Sequence, residues 1–457
     1  MSQTPPSAKG EGGLHAPFRR PIAWREPDFH DLEKVEHELG RVFDICHGCR
    51  RCFNLCDSFP RLFDLIDNGP TGEMDGVSKA DYGQVTQACT LCDMCFMTKC
   101  PYVPPHEWDV DFPHLMLRHR AAQRKAEGGH FAPEQLGKTD RNGKLAKPVA
   151  PLANWATELS NKPVRAAMEA VAGIDKTAVL PRYHARTAAD RMKQPMVLDP
   201  AGPAAGHRKA ALYATCFVDY NAPATAVAAQ AVLARQGVET IFAYPECCGM
   251  PMLEAGDIAS VAASAERVAA KLIPLVDQGY DIITLTASCG LMMKFEWPLI
   301  LPESEPIRRL AEATRDVSQY VVELSRAYGL SPGLTAPAGG VTLHHACHAR
   351  AQNMGAISAQ MLRLIPNAKV DLIERCSGHG GTFGVMKATH GLAVRVGRPA
   401  ARQIAQRAND TLCSDCPLAC GHLGQLVSAE LAAGAAPPRQ AHPIEIMAQA
   451  YGLAIAP

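Results

Sequence analysis

The sequence lacks a surplus of either charge: Lys plus Arg and Asp plus Glu number 46 each. No global field therefore draws the chain to nucleic acid. It also lacks any run of roughly eighteen uninterrupted apolar residues, so no transmembrane helix is expected. The opening stretch, MSQTPPSAKGEGG, has no apolar core of the kind a signal peptide needs, and Arg19-Arg20 is followed by charged, proline-broken sequence. The expectation is a cytoplasmic protein. Missing too is a G-x-G-x-x-G that opens a helix after a strand. Without that dinucleotide fingerprint, this chain is not expected to oxidise an organic substrate itself.

What is abundant is cysteine. Seventeen occur in 457 residues. In a reducing compartment such thiols do not form structural disulfides, and clustered ones bind metal. The length implies roughly two to four domains, and 20% charged with 47% apolar residues is the balance of a soluble folded protein.

Eight of the cysteines stand in two runs. CHGCRRCFNLC (46–56) spells C-x2-C-x2-C-x3-C, and CTLCDMCFMTKCP (89–101) spells C-x2-C-x2-C-x4-C-P. Two such runs in one small domain are the signature of a ferredoxin holding two 4Fe-4S clusters, in which the fourth cysteine of each run ligates the other run's cluster. One cluster would take Cys46, Cys49, Cys52 and Cys100, and the other Cys89, Cys92, Cys95 and Cys56. Soft thiolates suit such clusters. The alternative, a pair of zinc sites, calls for well-separated C-x2-C pairs. Arg50, Arg51 and Lys99 place positive charge in these loops, either beside a cluster or out in solvent.

Residues 1–40 read as a tail with one helix at Asp31 to Leu39, and 41–120 as the ferredoxin-type domain. Residues 121–207 read as a connector of basic bias. Between 118 and 209 there are seventeen Lys or Arg against eight Asp or Glu, and no cysteine.

From Lys209 strands and helices alternate. AALYATC, ETIFAYPECCG and YDIITLTASCG each read as a buried strand ending in cysteine, at Cys216, Cys247-Cys248 and Cys289. A helix from about Ala222 to Gln236 stops at Gly237. Another follows Asp257 as N-cap, with an apolar face from Ile258 to Val276. GGVTLHHACHA, KVDLIERCSG and DTLCSDCPLAC repeat the scheme at Cys347, Cys376 and Cys413 with Cys416. Offsets of 131, 129 and 124 between the halves point to an internal duplication. The expected copies span 208–335 and 336–457, each a βαβ-type unit gathering its ligands at the carboxyl ends of its strands.

CFVDYNAP, ECCGMP and SCGLM, then CHARAQNMG, ERCSGHGGTFGVMKATH and LCSDCPLACGHL, resemble the cysteine-rich CCG domain. Behind a two-cluster ferredoxin domain, over roughly 41–430, the arrangement resembles the family of the CCG-bearing subunit of anaerobic glycerol-3-phosphate dehydrogenase. It is also similar to the iron-sulfur subunits of heterodisulfide reductase, glycolate oxidase and lactate-utilisation complexes. The full CCG pattern has five thiols per copy, and both copies depart from it. Cys216, Cys247, Cys248 and Cys289 remain in the first, with Met292 in the place of the last cysteine. Cys347, Cys376, Cys413 and Cys416 remain in the second, with Ser377 in the place of one. Cys420 reads as a spare thiol. His344, His345, His348, His379 and His422 read as hydrogen-bonding neighbours of these sites, with iron ligation or proton donation to a quinone as the alternative.

The expected fold is α/β and α+β: a helical two-cluster ferredoxin domain followed by two tandem α/β CCG repeats. The resemblance implies an electron-transfer subunit with two 4Fe-4S clusters in the ferredoxin domain and one or two further iron-sulfur clusters in the repeats. It would relay electrons from a partner flavoprotein dehydrogenase, or another redox subunit, to a quinone or other acceptor, with peripheral membrane contact at most. The rival readings are a heterodisulfide or thiol-disulfide reductase subunit, the latter acting through Cys247-Cys248 and Cys413-x-x-Cys416, an iron-sulfur subunit of a glycolate or lactate oxidase complex, and a zinc-binding interaction module.

Overall fold

Lys209 opens the first of eight strands in the described residues of the computed structural model, which are 17–193, 196–432 and 434–455. β1 (Lys209–Tyr213), β2 (Glu239–Phe242), β3 (Tyr280–Thr284) and β4 (Thr314–Asp316) pair in the order β2-β1-β3-β4, all parallel. β5 (Val341–His344), β6 (Val370–Ile373), β7 (Thr411–Ser414) and β8 (Arg439–Ala441) pair as β6-β5-β7-β8, again all parallel. The shared order is the duplication expected from the cysteine offsets. β5 and β7 are buried along their whole length and β1 from Ala210 on. Strands sandwiched between helices need apolar residues on both faces, which explains why they read as continuous runs.

The helices obey the local signals. Pro at the first position starts the helix Pro223–Arg235, and Gly237 (φ 79°) lets the chain turn beyond it. Asp257 caps the helix Ile258–Asp277 by accepting from the Ser260 amide, and the face bearing Ile258, Val261, Ala265, Val268 and Leu272 is buried.

None of the described residues from 17 to 120 is in a strand. The helices Leu32–Cys49, Ser58–Asp67, Tyr82–Ala88, Met94–Thr98 and Phe112–Glu127 surround Phe43, Phe59, Phe63 and Leu62. Their core is continuous with that of the first repeat through residues such as Val261, Leu272 and Trp297. A second core joins the two repeats, with Val232 and Tyr320 meeting Leu343, Met361 and Ile444.

Two segments are more ordered than their composition implied. The stretch read as a tail is, from residue 17, part of the folded body. Ile22 and Phe29 are buried, the Ile22 amide donates to the Leu299 carbonyl at 2.8 Å, and Trp24 donates to that of Ile300 at 2.9 Å. Residues 1–16 lie outside the described residues. The basic connector carries the helices Phe131–Gly137, Thr139–Ala146, Ala150–Thr157 and Lys162–Ala172, and it lies against the functional cavity.

Candidate metal centres and the cysteine-lined cavity

The N-terminal cysteines gather because short helices end on them. Cys46 and Cys49 occupy the last turn of Leu32–Cys49, which closes on Arg50 in the left-handed region (φ 52°) and swings Cys52 and Cys56 back. Cys89 follows the helix Tyr82–Ala88, and Cys92 sits between two left-handed residues, Leu91 (φ 48°) and Asp93 (φ 62°). Non-glycine residues pay strain energy there, so neighbouring contacts must hold the loop. Asp93 is fixed by Arg19, whose Nη1 and Nη2 each donate to it at 2.9 Å.

The thiols fall into two adjoining neighbourhoods. Burial first, then the neighbouring Cys100, Cys52 and Cys49, pushes the Cys46 thiol well above its ordinary value. Burial, then Cys92 and Cys89, does the same to Cys56. Cys95 is raised by burial and then by Cys92, Cys89, Cys56 and Cys52, so the two groups adjoin. Four thiolates crowded into a buried place repel one another, and a cationic metal group relieves that repulsion by keeping each thiol deprotonated. The soft donor set fits iron-sulfur clusters. Among the described residues no three His, Cys, Asp or Glu side chains converge as tightly as a single metal ion requires, so the fit rests on these shared neighbourhoods. Arg51 and Lys99 lie close enough to Cys52 to oppose its rise, which still reaches about 12, while Arg50 turns away to pair with Asp67 at 2.5 Å.

At the carboxyl ends of both sheets lies a cavity of about 1150 Å³ with a mostly apolar lining. Cys216, Cys247, Cys248 and Cys289 line it from the first repeat, and Cys347, Cys376 and Cys416 from the second; Cys56 and Cys92 reach it from the N-terminal domain. Cys216 and Cys247 have their sulfurs 3.8 Å apart. The neighbouring Cys216 and Cys248 thiols hold the Cys247 thiol well below its ordinary value. On the other side, the Cys347 and Cys92 thiols are neighbours, which raises Cys347 and lowers Cys92. Backbone amides support the sulfurs: Gly378 donates to Cys376 at 3.3 Å and Ala419 to Cys416 at 3.5 Å. Gly378 (φ 76°) cannot be replaced, since a Cβ would lie 2.0 Å from the Ala393 carbonyl oxygen.

Strand register corrects two sequence expectations. Leu212 pairs with Ile283 in the first sheet and Leu343 with Cys413 in the second. Cys413 therefore occupies the place of a core isoleucine. It is fully buried beside Cys420, away from the cavity, and is not brought together with Cys347, Cys376 and Cys416. Tyr213 pairs with Thr284 and His344 with Ser414, which puts Thr286 in the position of Cys416 and Cys289 in that of Ala419. All four line the cavity. Thr286 thus stands at the first-repeat counterpart of Cys416. Met292, buried and opening the π-helical turn Met292–Glu296, does not line the cavity. Ser377 does line it. Cys420 is held in the core, its thiol 3.6 Å from the Leu412 carbonyl oxygen.

The histidines divide. His344 is satisfied on both nitrogens, by Ser414 Oγ and the Arg375 carbonyl, each at 3.0 Å. His345 and His379 also line the cavity, and each has a buried Nε2 with no partner. Burial, then His422 and His348, pushes His379 down to about 3, so its ring is neutral. His422 does not line the cavity.

Sequence reasoning missed Asp140. From the connector it accepts the Cys247 amide at 2.8 Å and the Tyr244 hydroxyl. It missed Arg19 as well, which joins Asp93, Asp111 (2.8 Å) and Glu296 (3.2 Å), binding the N-terminal arm, the helical cysteine-bearing region and the first repeat. Both are single polar residues whose partners are remote in sequence, and no local pattern marks them.

Comparison with known proteins agrees with this geometry. The family model described as "Cysteine-rich domain" (CCG) matches residues 210–294 and 341–423. The chain carries two CCG domains. The subunit designated C of anaerobic glycerol-3-phosphate dehydrogenase from Escherichia coli (strain K12) is 27% identical over 327 residues, 69% of this chain and 76% of that one. The subunit designated B of fumarate reductase (CoM/CoB) from Methanothermobacter marburgensis is 28% identical over 214 residues, covering 46% and 40%. Lactate utilization protein A of Geobacillus sp. (strain WCH70) is 26% identical over 193 residues, covering 40% and 76%. The matched CCG segments each contain the β-strands and cysteines that meet at the cavity, and the second ends just beyond Cys420.

Proposed function

We propose that the chain is the iron-sulfur electron-transfer subunit of an oxidoreductase complex. It takes electrons from a partner flavoprotein dehydrogenase and passes them to a quinone or another acceptor, working in the cytoplasm. The observation that carries this reading is the adjacency of Cys92 and Cys347 in the cavity wall, where the second N-terminal thiol group meets the CCG cysteines.

Cys46, Cys49, Cys52 and Cys100 would hold one 4Fe-4S cluster and Cys56, Cys89, Cys92 and Cys95 the other. Cys216, Cys247, Cys248 and Cys289, with Cys347, Cys376 and Cys416 opposite, would hold one or two more. When bound, these groups supply one-electron transfer.

The protein's own residues give this chemistry a direction. The first set is only half-buried, whereas Cys89 and Cys95 are buried, so a partner reaches the first set most directly. Arg120, through the Thr86 and Cys89 carbonyls, braces the second loop. The cavity excludes bulk water from Cys247, Cys248 and Cys289, which are buried. The unpartnered Nε2 atoms of His345 and His379 offer an acceptor a hydrogen bond. Iron and acid-labile sulfide counts on anaerobically purified protein, with EPR of the reduced state, test the reading. More than about eight irons per chain is expected, because two 4Fe-4S clusters account for about eight. Stoichiometric zinc in a colourless protein would overturn it.

One observation favours a second reading, thiol-disulfide exchange: Cys247 is held down by two neighbouring thiols, and a thiolate is the nucleophile in such exchange. Under that reading Cys248→Ser abolishes disulfide reduction with iron content intact; a fall in iron instead supports electron relay.

A further inference from the structure

The connector helices face the wrong way for ordinary packing. In Thr139–Ala146 and Ala150–Thr157, Gly143 and Ala150 are buried and Ala146 and Ala153 half-buried, whereas Leu145, Val149, Leu152, Trp155 and Leu159 are exposed. The exposed five recur at spacings of four, three, three and four residues. Leu145 stands in the first helix, Val149 in the 3-10 turn Lys147–Val149 between the two, Leu152 and Trp155 in the second helix and Leu159 just past its end, and Leu145, Leu152 and Trp155 are 55–66% exposed. The inward seating is tight: a Cβ on Gly143 would lie 2.3 Å from the Tyr220 ring. A surface helix normally buries its bulky apolar face and leaves small and polar residues outside; here the small residues are inside. All five lie outside the buried clusters of the described residues.

We infer that this stripe docks on the surface of an anionic lipid bilayer. Between 138 and 162 stand five Lys or Arg and two acids. One acid, Asp140, faces Cys247, which leaves Glu158 as the exposed one. Lys138, Arg141 and Lys144 are exposed beside the stripe. The chain as a whole has no net charge, so this is a local basic surface. Lysine is depleted at protein–protein interfaces, whereas a lysine-rimmed face of Leu, Val and Trp is the composition of helices that lie in the headgroup region. No helix among the described residues is long and apolar enough to cross a membrane, so the contact is peripheral.

A second observation points the same way. The helix that carries Leu152 and Trp155 ends at the mouth of the cysteine-lined cavity, whose lining includes its last residue, Thr157, together with Phe131 (79% exposed) and Val171 (89%). A bilayer seated on the stripe places its lipid phase beside that mouth. The docking stands independently of the electron-relay reading.

Co-sedimentation of the anaerobically purified full chain with vesicles tests it. Vesicles of phosphatidylcholine with phosphatidylglycerol are expected to carry the chain down, with Trp155 emission shifting to the blue. Phosphatidylcholine alone is expected to bind more weakly, and raised salt to release the chain. Leu152→Glu with Trp155→Glu is expected to lower binding tenfold or more at unchanged iron content and circular dichroism. These positions touch no core, and Lys138→Glu with Lys144→Glu serves as a second variant that spares the apolar stripe and should weaken binding to the anionic vesicles alone. No sedimentation with either vesicle, or sedimentation unchanged by both variants, overturns the inference. So does a concentration-dependent dimer that the Leu152 and Trp155 substitutions abolish without any vesicle binding, since the stripe would then face a second copy of the chain.

Discussion

Cys92 of the N-terminal domain and Cys347 of the second CCG domain are neighbouring thiols in the cavity wall, each shifting the other's titration. The contact brings residues 255 positions apart to the point where the second ferredoxin thiol group meets the cavity. Cys56 and Cys376 are neighbours at the same junction.

The register of β7 separates Cys413 from Cys416. Cys416→Ala is expected to lower the iron content. Cys413→Ala is expected to leave iron unchanged and to cost about 1 kcal/mol of stability through the small cavity left behind. Iron assay and denaturant unfolding of the two variants distinguish them.

The same register makes Thr286 the first-repeat counterpart of Cys416. Thr286→Cys adds a thiol to the cavity wall and is expected to change the EPR spectrum and slow iron loss to a chelator. Met292→Cys, at a buried position that does not line the cavity, is expected to do neither. Equal effects from the two would show that the pairing of the repeats is wrong.

Arg19 is the only cation among the described residues that bridges Asp93, Asp111 and Glu296 together. Arg19→Ala leaves Asp93 without its ion pair and Asp111 and Glu296 with His114 alone, and is expected to destabilise the protein by about 3–5 kcal/mol. Arg19→Lys is expected to recover part of that loss, read by thermal unfolding.

The pH dependence of this network follows from opposite shifts. Burial opposes the Asp111 carboxylate, but Arg19 and His114 outweigh it and bring its pKa down to about 2. Its contribution is full above the unfolded carboxylate range and is lost as pH falls through about 2. For His114, burial and Arg19 oppose the charged ring, yet Asp111 and Glu296 raise its pKa overall. That contribution is full below the unfolded histidine value, about 6.5, and fades as pH rises through the raised folded value. His114→Gln is expected to remove the fade, measured as the slope of melting temperature from neutral into mildly alkaline pH.

Asp140 anchors the connector to the first repeat. Asp140→Ala leaves the Cys247 amide and Tyr244 hydroxyl without their acceptor and is expected to cost about 1–3 kcal/mol. Partial loss of iron from the repeats should accompany it, while the ferredoxin signals persist.

How much of this was legible in the sequence depended on range. The two N-terminal cysteine runs, the strand-then-cysteine pattern and the cap at Asp257 are local signals, and the structure carries each. Cys413 misled because Cys413-x-x-Cys416 imitates a ligand pair; its side-chain direction is set by pairing with Leu343, which spacing does not encode. The tail and connector misled because Pro, Gly and charge read as linker. Arg19, Ile22 and Asp140 gain their meaning only from partners far along the chain, and the outward stripe at Leu145–Leu159 looks in sequence like any helix with an apolar face.

The most direct measurement is rapid-freeze EPR of the dithionite-reduced chain mixed with a water-soluble quinone, comparing wild type with Cys347→Ala. Every cluster signal of the wild type is expected to be oxidised, and in Cys347→Ala the ferredoxin signals are expected to persist at least tenfold longer at unchanged ferredoxin iron. Oxidation of those signals at the same rate in both proteins would contradict the proposed relay, because electrons would then leave without passing the Cys92–Cys347 junction.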